Sequence, residues 1–198
     1  WLNEGGDVND RNVHGDTMLL VCVGTPHTRT ASHTDLVRLL IKHGADVNLL
    51  SSDSARIDGV GLSALHDACD RIEDVSAGMV SLLLNAGANV HYKARDGREI
   101  APPEGVTYPE VTPLGMTLLA FFPVEGLPRE PLPNTLRIVT MLLRAGASLD
   151  AVSDERTAEV ELREAEDMNP ALRDSDTFVQ VKALIHGVRA AGNWKQYC

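Results

Sequence analysis

Cysteine and histidine are the side chains of this chain best suited to nucleophilic or metal chemistry, and His66-Asp67-Ala68-Cys69 sets both in one short run. An imidazole beside a thiol is the pairing that produces a thiolate nucleophile. A zinc site would need paired ligands such as C-x₂-C or H-x₃-H. His14, His27, His33, His43, His66, His91 and His186 form no such close set with Cys22, Cys69 or Cys198, so no metal ligand is predicted. Gly59-Val60-Gly61 precedes an expected helix, as a phosphate-cradling loop does, but the further glycines and the lysine of such a loop are missing. Catalytic residues and cofactors are accordingly predicted to be none.

The elements that must position these residues are repeated. LLIKHGADVN at 39–48, LLLNAGANVH at 82–91 and MLLRAGASLD at 141–150 share one pattern, and WLNEGGDVN opens the chain with another copy. Apolar residues run up to Gly44, Gly87 and Gly146, where a left-handed helix cap needs a residue without a β-carbon. Leu36, Val37, Leu39, Leu40 and Ile41 match Met79, Val80, Leu82, Leu83 and Leu84, and then Ile138, Val139, Met141, Leu142 and Leu143. Apolar positions thus recur at i, i+3 and i+4, a helical stripe that wants a neighbouring helix. Ser32 or Thr34 is expected to cap the first of these helices, and Asn134 or Thr135 the third.

This pattern resembles the ankyrin repeat, a β-turn finger and two antiparallel helices in about 33 residues. Gly61-Leu62-Ser63-Ala64-Leu65-His66-Asp67-Ala68-Cys69 is similar to the family's G-x-T-P-L-H-x-A-A opening, with Ser63 for Thr and Ala64 for Pro. Two further openings depart from it: Gly15 to Cys22 lacks the Pro and the His, and Thr112 to Ala120 lacks the His. The resemblance covers residues 1–150 and implies an all-α solenoid of stacked helix pairs with β-turn fingers. It also implies a structural His66, hydrogen-bonded between neighbouring repeats, and packing rather than reactive roles for Cys22 and Cys69. Residues 1–198 are expected to form one domain: 1–11 the end of a repeat, 12–50, 51–92 and 93–152 repeats with insertions, and 153–198 a degenerate capping repeat and tail. The ending Gly192 to Tyr197 is similar to a G-x-W-x-x-Y motif of some algal and oomycete ankyrin proteins.

The turn glycines Gly5, Gly44, Gly87 and Gly146 are 39, 43 and 59 residues apart. Set against a unit of about 33 residues, the surplus must leave the stack as loops. Residues 24–29 enlarge the connection between the first two helices, and residues 51–58 lengthen the second finger. Segments 98–111 and 123–134 interrupt the third unit, and both carry prolines that bar a continuing helix. Phe121 and Phe122 are expected to anchor the second insertion against the stack.

Composition limits the function classes. A net charge of −10 repels a phosphate backbone, so nucleic acid is not an expected partner. No run approaches the roughly 18 apolar residues of a spanning helix, so no membrane insertion is expected. Three cysteines without a close pair suit a reducing, cytoplasmic compartment. Trp1-Leu2-Asn3-Glu4-Gly5 is no signal peptide, because it begins inside a repeat, and the chain reads as an excerpt of a longer protein. In the family, partners touch fingertips and the inner face of the first helices. Carried over, these positions are Asn12, Val13, His14 and Asp16, then Leu62, Asp70 and Arg71, then Lys93, Arg95, Asp96 and Arg98. The expected function is a non-catalytic protein–protein interaction module with a protein partner. The alternatives are a peripheral stabilising subunit of a large assembly contacting through its inserted loops, or the regulatory part of a longer enzyme.

Overall fold

The computed structural model describes residues 5–24, 31–51, 61–70, 76–95, 110–123, 132, 134–150 and 152–198. Within them the helices are α1 (Met18–Gly24), α2 (Ala31–Lys42), α3 (Ala64–Asp70), α4 (Ser76–Asn85), α5 (Pro113–Leu118), α6 (Asn134–Arg144), α7 (Ala158–Met168), α8 (Asp176–Ala191) and α9 (Trp194–Tyr197). Two rows result. α1, α3, α5 and α7 pack one on the next, and α2, α4, α6 and α8 do the same. The only described strand pair is β1 (Ala94–Arg95) against β2 (Glu110–Val111), antiparallel.

Each turn glycine stops a helix by the same backbone geometry. Gly44, Gly87 and Gly146 have φ of +88°, +87° and +96°. Around Gly44 the N–H of Gly44 donates to Ile41 O and that of Ala45 to Leu40 O, and the bonds repeat at Gly87 and Gly146. This pair of bonds satisfies the last carbonyls of the helix. The chain then turns on a short polar side chain: Asp46 Oδ1 accepts from Asn48 N at 2.9 Å, and Asn89 Oδ1 from His91 N at 2.9 Å.

Successive turns are tied by asparagine. Asn9 Oδ1 accepts from Asp46 N at 2.8 Å while its Nδ2 donates to Gly44 O at 3.3 Å. Asn48 makes the same two bonds one unit later, to Asn89 N at 2.8 Å and Gly87 O at 3.2 Å.

The stripes predicted from sequence form one core. Val37, Leu40, Met79, Val80, Leu83, Ile138, Val139 and Leu142 are buried. α1 and α2 have a helix-pair neighbour on one side among the described residues, and Leu36 and Leu39 there are 37% and 44% exposed, whereas Met79 and Ile138, which match Leu36, are fully buried. At the other end α7 and α8 continue both rows. Phe121 crosses from the 3-10 turn after α5 to meet Phe178 of α8, edge to face at 5.1 Å, so it anchors the terminal helix pair. Thr157 caps α7 and Ser175 caps α8 through their side-chain oxygens.

Of the expected caps of the second helices, Ser32, Thr34 and Thr135 do not serve as predicted. α2 begins at Ala31, which places Ser32 and Thr34 inside its first turn rather than ahead of it. α6 begins at Asn134, and Thr135 Oγ1 is buried without a hydrogen-bond partner. A helix start depends on the chain that precedes it, and at both places that chain is an insertion. The enlarged connection at 25–29 and the finger residues 52–58 lie outside the described residues.

One carboxylate of the terminal pair is buried. Glu161 on α7 is 1% exposed, and burial pushes its pKa up while Arg156, with Nη1 at 3.8 Å, opposes that. A carboxyl that binds its proton more tightly when folded adds stability below its ordinary pKa and loses it as pH rises through the raised value. Glu161→Gln is therefore expected to raise the denaturation midpoint at pH 7, by about 1 kcal/mol, and to lose that gain in acid; a lowered midpoint at pH 7 would refute this. At Gly87 an added Cβ meets no atom within 4 Å, so a substitution there is opposed by backbone conformation alone. Gly87→Ala should cost about 1 to 2 kcal/mol and Gly87→Val more, read by urea denaturation; unchanged midpoints would remove the capping role.

Candidate interaction surface

The first finger is closed by Asn12. Its Oδ1 accepts from His14 N at 2.8 Å and Asp16 N at 3.0 Å, while its own N–H donates to Asp16 O at 2.9 Å. Gly15, at φ +79°, completes the turn by donating to Asn12 O. With the backbone thus satisfied internally, the side chains are left to point outward, and Val13 at the tip is 94% exposed.

Neighbouring fingers are joined by long cations bonding to main-chain carbonyls. Arg11 Nη1 donates to Leu50 O at 2.8 Å and also bonds Gly15 O within its own finger. Lys93 Nζ donates to Asp154 O at 3.0 Å. Asp154, at φ +47°, is held by two further bonds, Asp154 N to Glu110 O at 2.6 Å and Glu110 N to Asp154 Oδ1 at 2.9 Å.

His66 supplies the link beneath the fingers. Ser63 Oγ lies 2.7 Å from its Nδ1 and accepts from the His66 backbone N–H, so the hydroxyl proton is directed to Nδ1. Nε2–H then donates to Val111 O of the next unit at 3.1 Å. The ring meets Tyr92 edge to face at 5.8 Å. Full burial of this neutral imidazole lowers its pKa to about 4. In the third unit Gly115 stands at the place of His66, and a Cβ there would lie 2.0 Å from Val152 O. That carbonyl accepts instead from Thr112 N at 2.9 Å and Thr112 Oγ1 at 3.2 Å.

The predicted contact residues are distributed along this framework. His14 is exposed on the first fingertip and Asp16 half-buried beside it; Asp70 is the last residue of α3 and half-buried. Lys93 is half-buried and engaged with Asp154. Leu62 is only 6% exposed, so it belongs to the core and not to an inner face open to partners. Arg71, Asp96, Arg98 and the side chain of Arg95 lie outside the described residues, as do segments 98–111 and 123–134 except Glu110, Val111, Pro123, Leu132 and Asn134. His66 and Cys69 are both buried, and the imidazole is engaged at both nitrogens, which takes it out of reach of any substrate. Among the described residues no cluster of three or more His, Cys, Asp or Glu could hold a metal ion, and no helix is long and apolar enough to cross a membrane.

Missed by sequence reasoning is a cavity of about 400 Å³ at the far end, between the turn 146–150 and the junction of α8 with α9. Its walls include Arg144, Trp194 and Lys195. The available signal was Asp150, which stands where Asn9 and Asn48 make their bridges.

Residues 14–52 and 60–95 match the family model for the ankyrin repeat. Among solved structures, the chain is similar to an ankyrin repeat domain from Acinetobacter baumannii AYE, a crystal structure at 1.00 Å resolution. The two share 21% identity over 93% of this chain and 70% of the other, with a TM-score of 0.63. No curated protein matches.

The state of His66 sets a pH dependence. Above its ordinary value of 6.5 the imidazole is neutral folded or unfolded. As pH falls from there toward about 4, the unfolded chain takes up a proton that the folded chain refuses, so stability declines by up to about 1.4 kcal/mol per pH unit. His66→Gln should lower stability at pH 7 and flatten the decline between pH 6.5 and 4; urea midpoints that fall in parallel for both proteins would show that His66 is not the group responsible.

Proposed function

With residues 14–52 and 60–95 being ankyrin repeats and the whole described chain folded as an ankyrin-repeat solenoid, we propose that residues 1–198 act as one non-catalytic module that binds a protein partner through its fingertips. Ankyrin repeats as a class bind proteins. The observation that carries the reading for this chain is the first finger: its backbone is closed by Asn12, and Val13 and His14 are left exposed on a fixed turn. A pre-formed turn loses little conformational freedom on binding, so more of its contact energy is retained as affinity.

The third finger supplies the positive charge. Arg95 and Arg98, with the inserted segments 98–111 and 123–134, are the residues through which an acidic partner would be selected, because charges at the rim of an interface set encounter rate and selectivity. Lys93 serves less well as a probe, since its ammonium also ties the third finger to Asp154.

Photo-reactive residues placed at position 14, at position 98 and, on α2, at the exposed Arg38 test the placement directly. Partner cross-links are expected from positions 14 and 98 in excess of those from 38. Arg95→Glu with Arg98→Glu should then weaken that partner at least about tenfold, more strongly at low salt. Equal cross-linking from all three sites, or unchanged affinity in a folded double variant, would move the interface away from the fingers.

A further inference from the structure

The cavity at the far end lies beside the turn of Gly146, where Asp150 holds the place of the bridging asparagines. Asn9 and Asn48 each donate to the carbonyl of the next turn glycine. His91 holds the matching place in the turn of Gly87; in the turn of Gly146 it is Asp150, a carboxylate with no proton to donate to Gly192 at the end of α8. It accepts instead from Arg189 Nη1 at 2.8 Å. That ion pair ties the turn to α8, and the space between the turn and the α8–α9 junction is lined by apolar Leu149, Val188 and Trp194 and by the cations Arg144, Arg189 and Lys195.

Arg189 is engaged with Glu159 and Asp150. Arg144 and Lys195 are exposed and form no ion pair with any described residue. In a chain of net charge −10, these two cations beside a tryptophan make a local surplus of the opposite sign. The wall is also fixed in place. Asn193 caps α9 by accepting from Gln196 N at 3.1 Å, and the Tyr197 ring lies so close over Gly187 that a Cβ there would be 2.4 Å from it.

We propose that this groove is a second binding site, independent of the fingers, for an acidic peptide segment whose carboxylates pair with Arg144 and Lys195 while an apolar side chain packs on Trp194 and Val188. A free small anion is a poorer occupant. Exposed ion pairs contribute little on their own, and a hydrated anion makes no use of the apolar lining. A segment carrying both acidic and apolar side chains satisfies both parts of the wall.

Trp194 is one of two tryptophans, so in a Trp1→Phe background its emission reports on the groove alone. A synthetic peptide alternating glutamate and leucine is expected to shift that emission saturably, and its glutamine counterpart to bind at least about tenfold more weakly. Arg144→Glu with Lys195→Glu should lower affinity for the acidic peptide by at least about tenfold, with the difference shrinking as salt rises. If the reversal disturbs the melting midpoint, the Arg144→Gln and Lys195→Gln pair gives the same comparison without a like-charge cluster. No emission change at millimolar acidic peptide, equal binding of the two peptides, or undiminished binding by the folded variants would overturn the proposal. A response to free glutamate or inorganic phosphate as strong as to the peptide would also overturn it, in favour of a small-anion site.

Discussion

The chain can fold as a stack only because it reverses direction sharply and identically at Gly44, Gly87 and Gly146. A left-handed backbone at these three places lets the last helical carbonyls be satisfied by the two following N–H groups, and so frees the next residues to turn on a polar side chain. The second helices thereby end alike, and their apolar stripes come into register as one of the two helix rows. Asparagine bridges then fasten turn to turn, each using both its donor and its acceptor on main-chain groups of the next unit. A side chain satisfied at both ends in this way fixes spacing as well as adding stability.

Departures from the repeat are compensated where they occur. Gly115 replaces the histidine that links units in the second repeat, because the Val152 carbonyl occupies the space a Cβ would need; Thr112 takes over the hydrogen bonding with its backbone and its hydroxyl together. Asp150 replaces the bridging asparagine, and the bridge gives way to an ion pair with Arg189, whose guanidinium is shared with Glu159. Lys93 and Arg11 perform one job at two fingers, each carrying a charge to a main-chain carbonyl of a later finger. These substitutions change the chemistry of a contact while leaving the stack intact.

The parts of the fold legible in the sequence are those governed by local rules. Turn glycines and the apolar stripes of α2, α4 and α6 depend on residues within a few positions of one another, and the structure places them as read. The helix start at Ala31 is not legible because it depends on inserted chain, and the burial of Leu62 is not because it depends on packing with other units. Phe121 meets Phe178, some distance along the chain, and nothing local announces that pairing; nearly all of the insertion it is expected to anchor lies outside the described residues. Of the candidate surface, the first finger is legible through its Asn12 turn. The groove beside Trp194 is not, since its walls come from the turn 146–150 and the α8–α9 junction, which are distant in the chain.

The bridges also run one way. Each asparagine lies at the end of its own unit and reaches the turn of the following one, so residues 9 and 44, or 48 and 87, meet irrespective of how much chain lies between them. Nothing in that contact measures the length of the intervening segment. Between bridged turns, loops and fingers can therefore differ in length without altering the junction. The scaffold thus separates the geometry of its joints from the length of the chain between them, as the 39 and 43 residues between the bridged turn glycines illustrate.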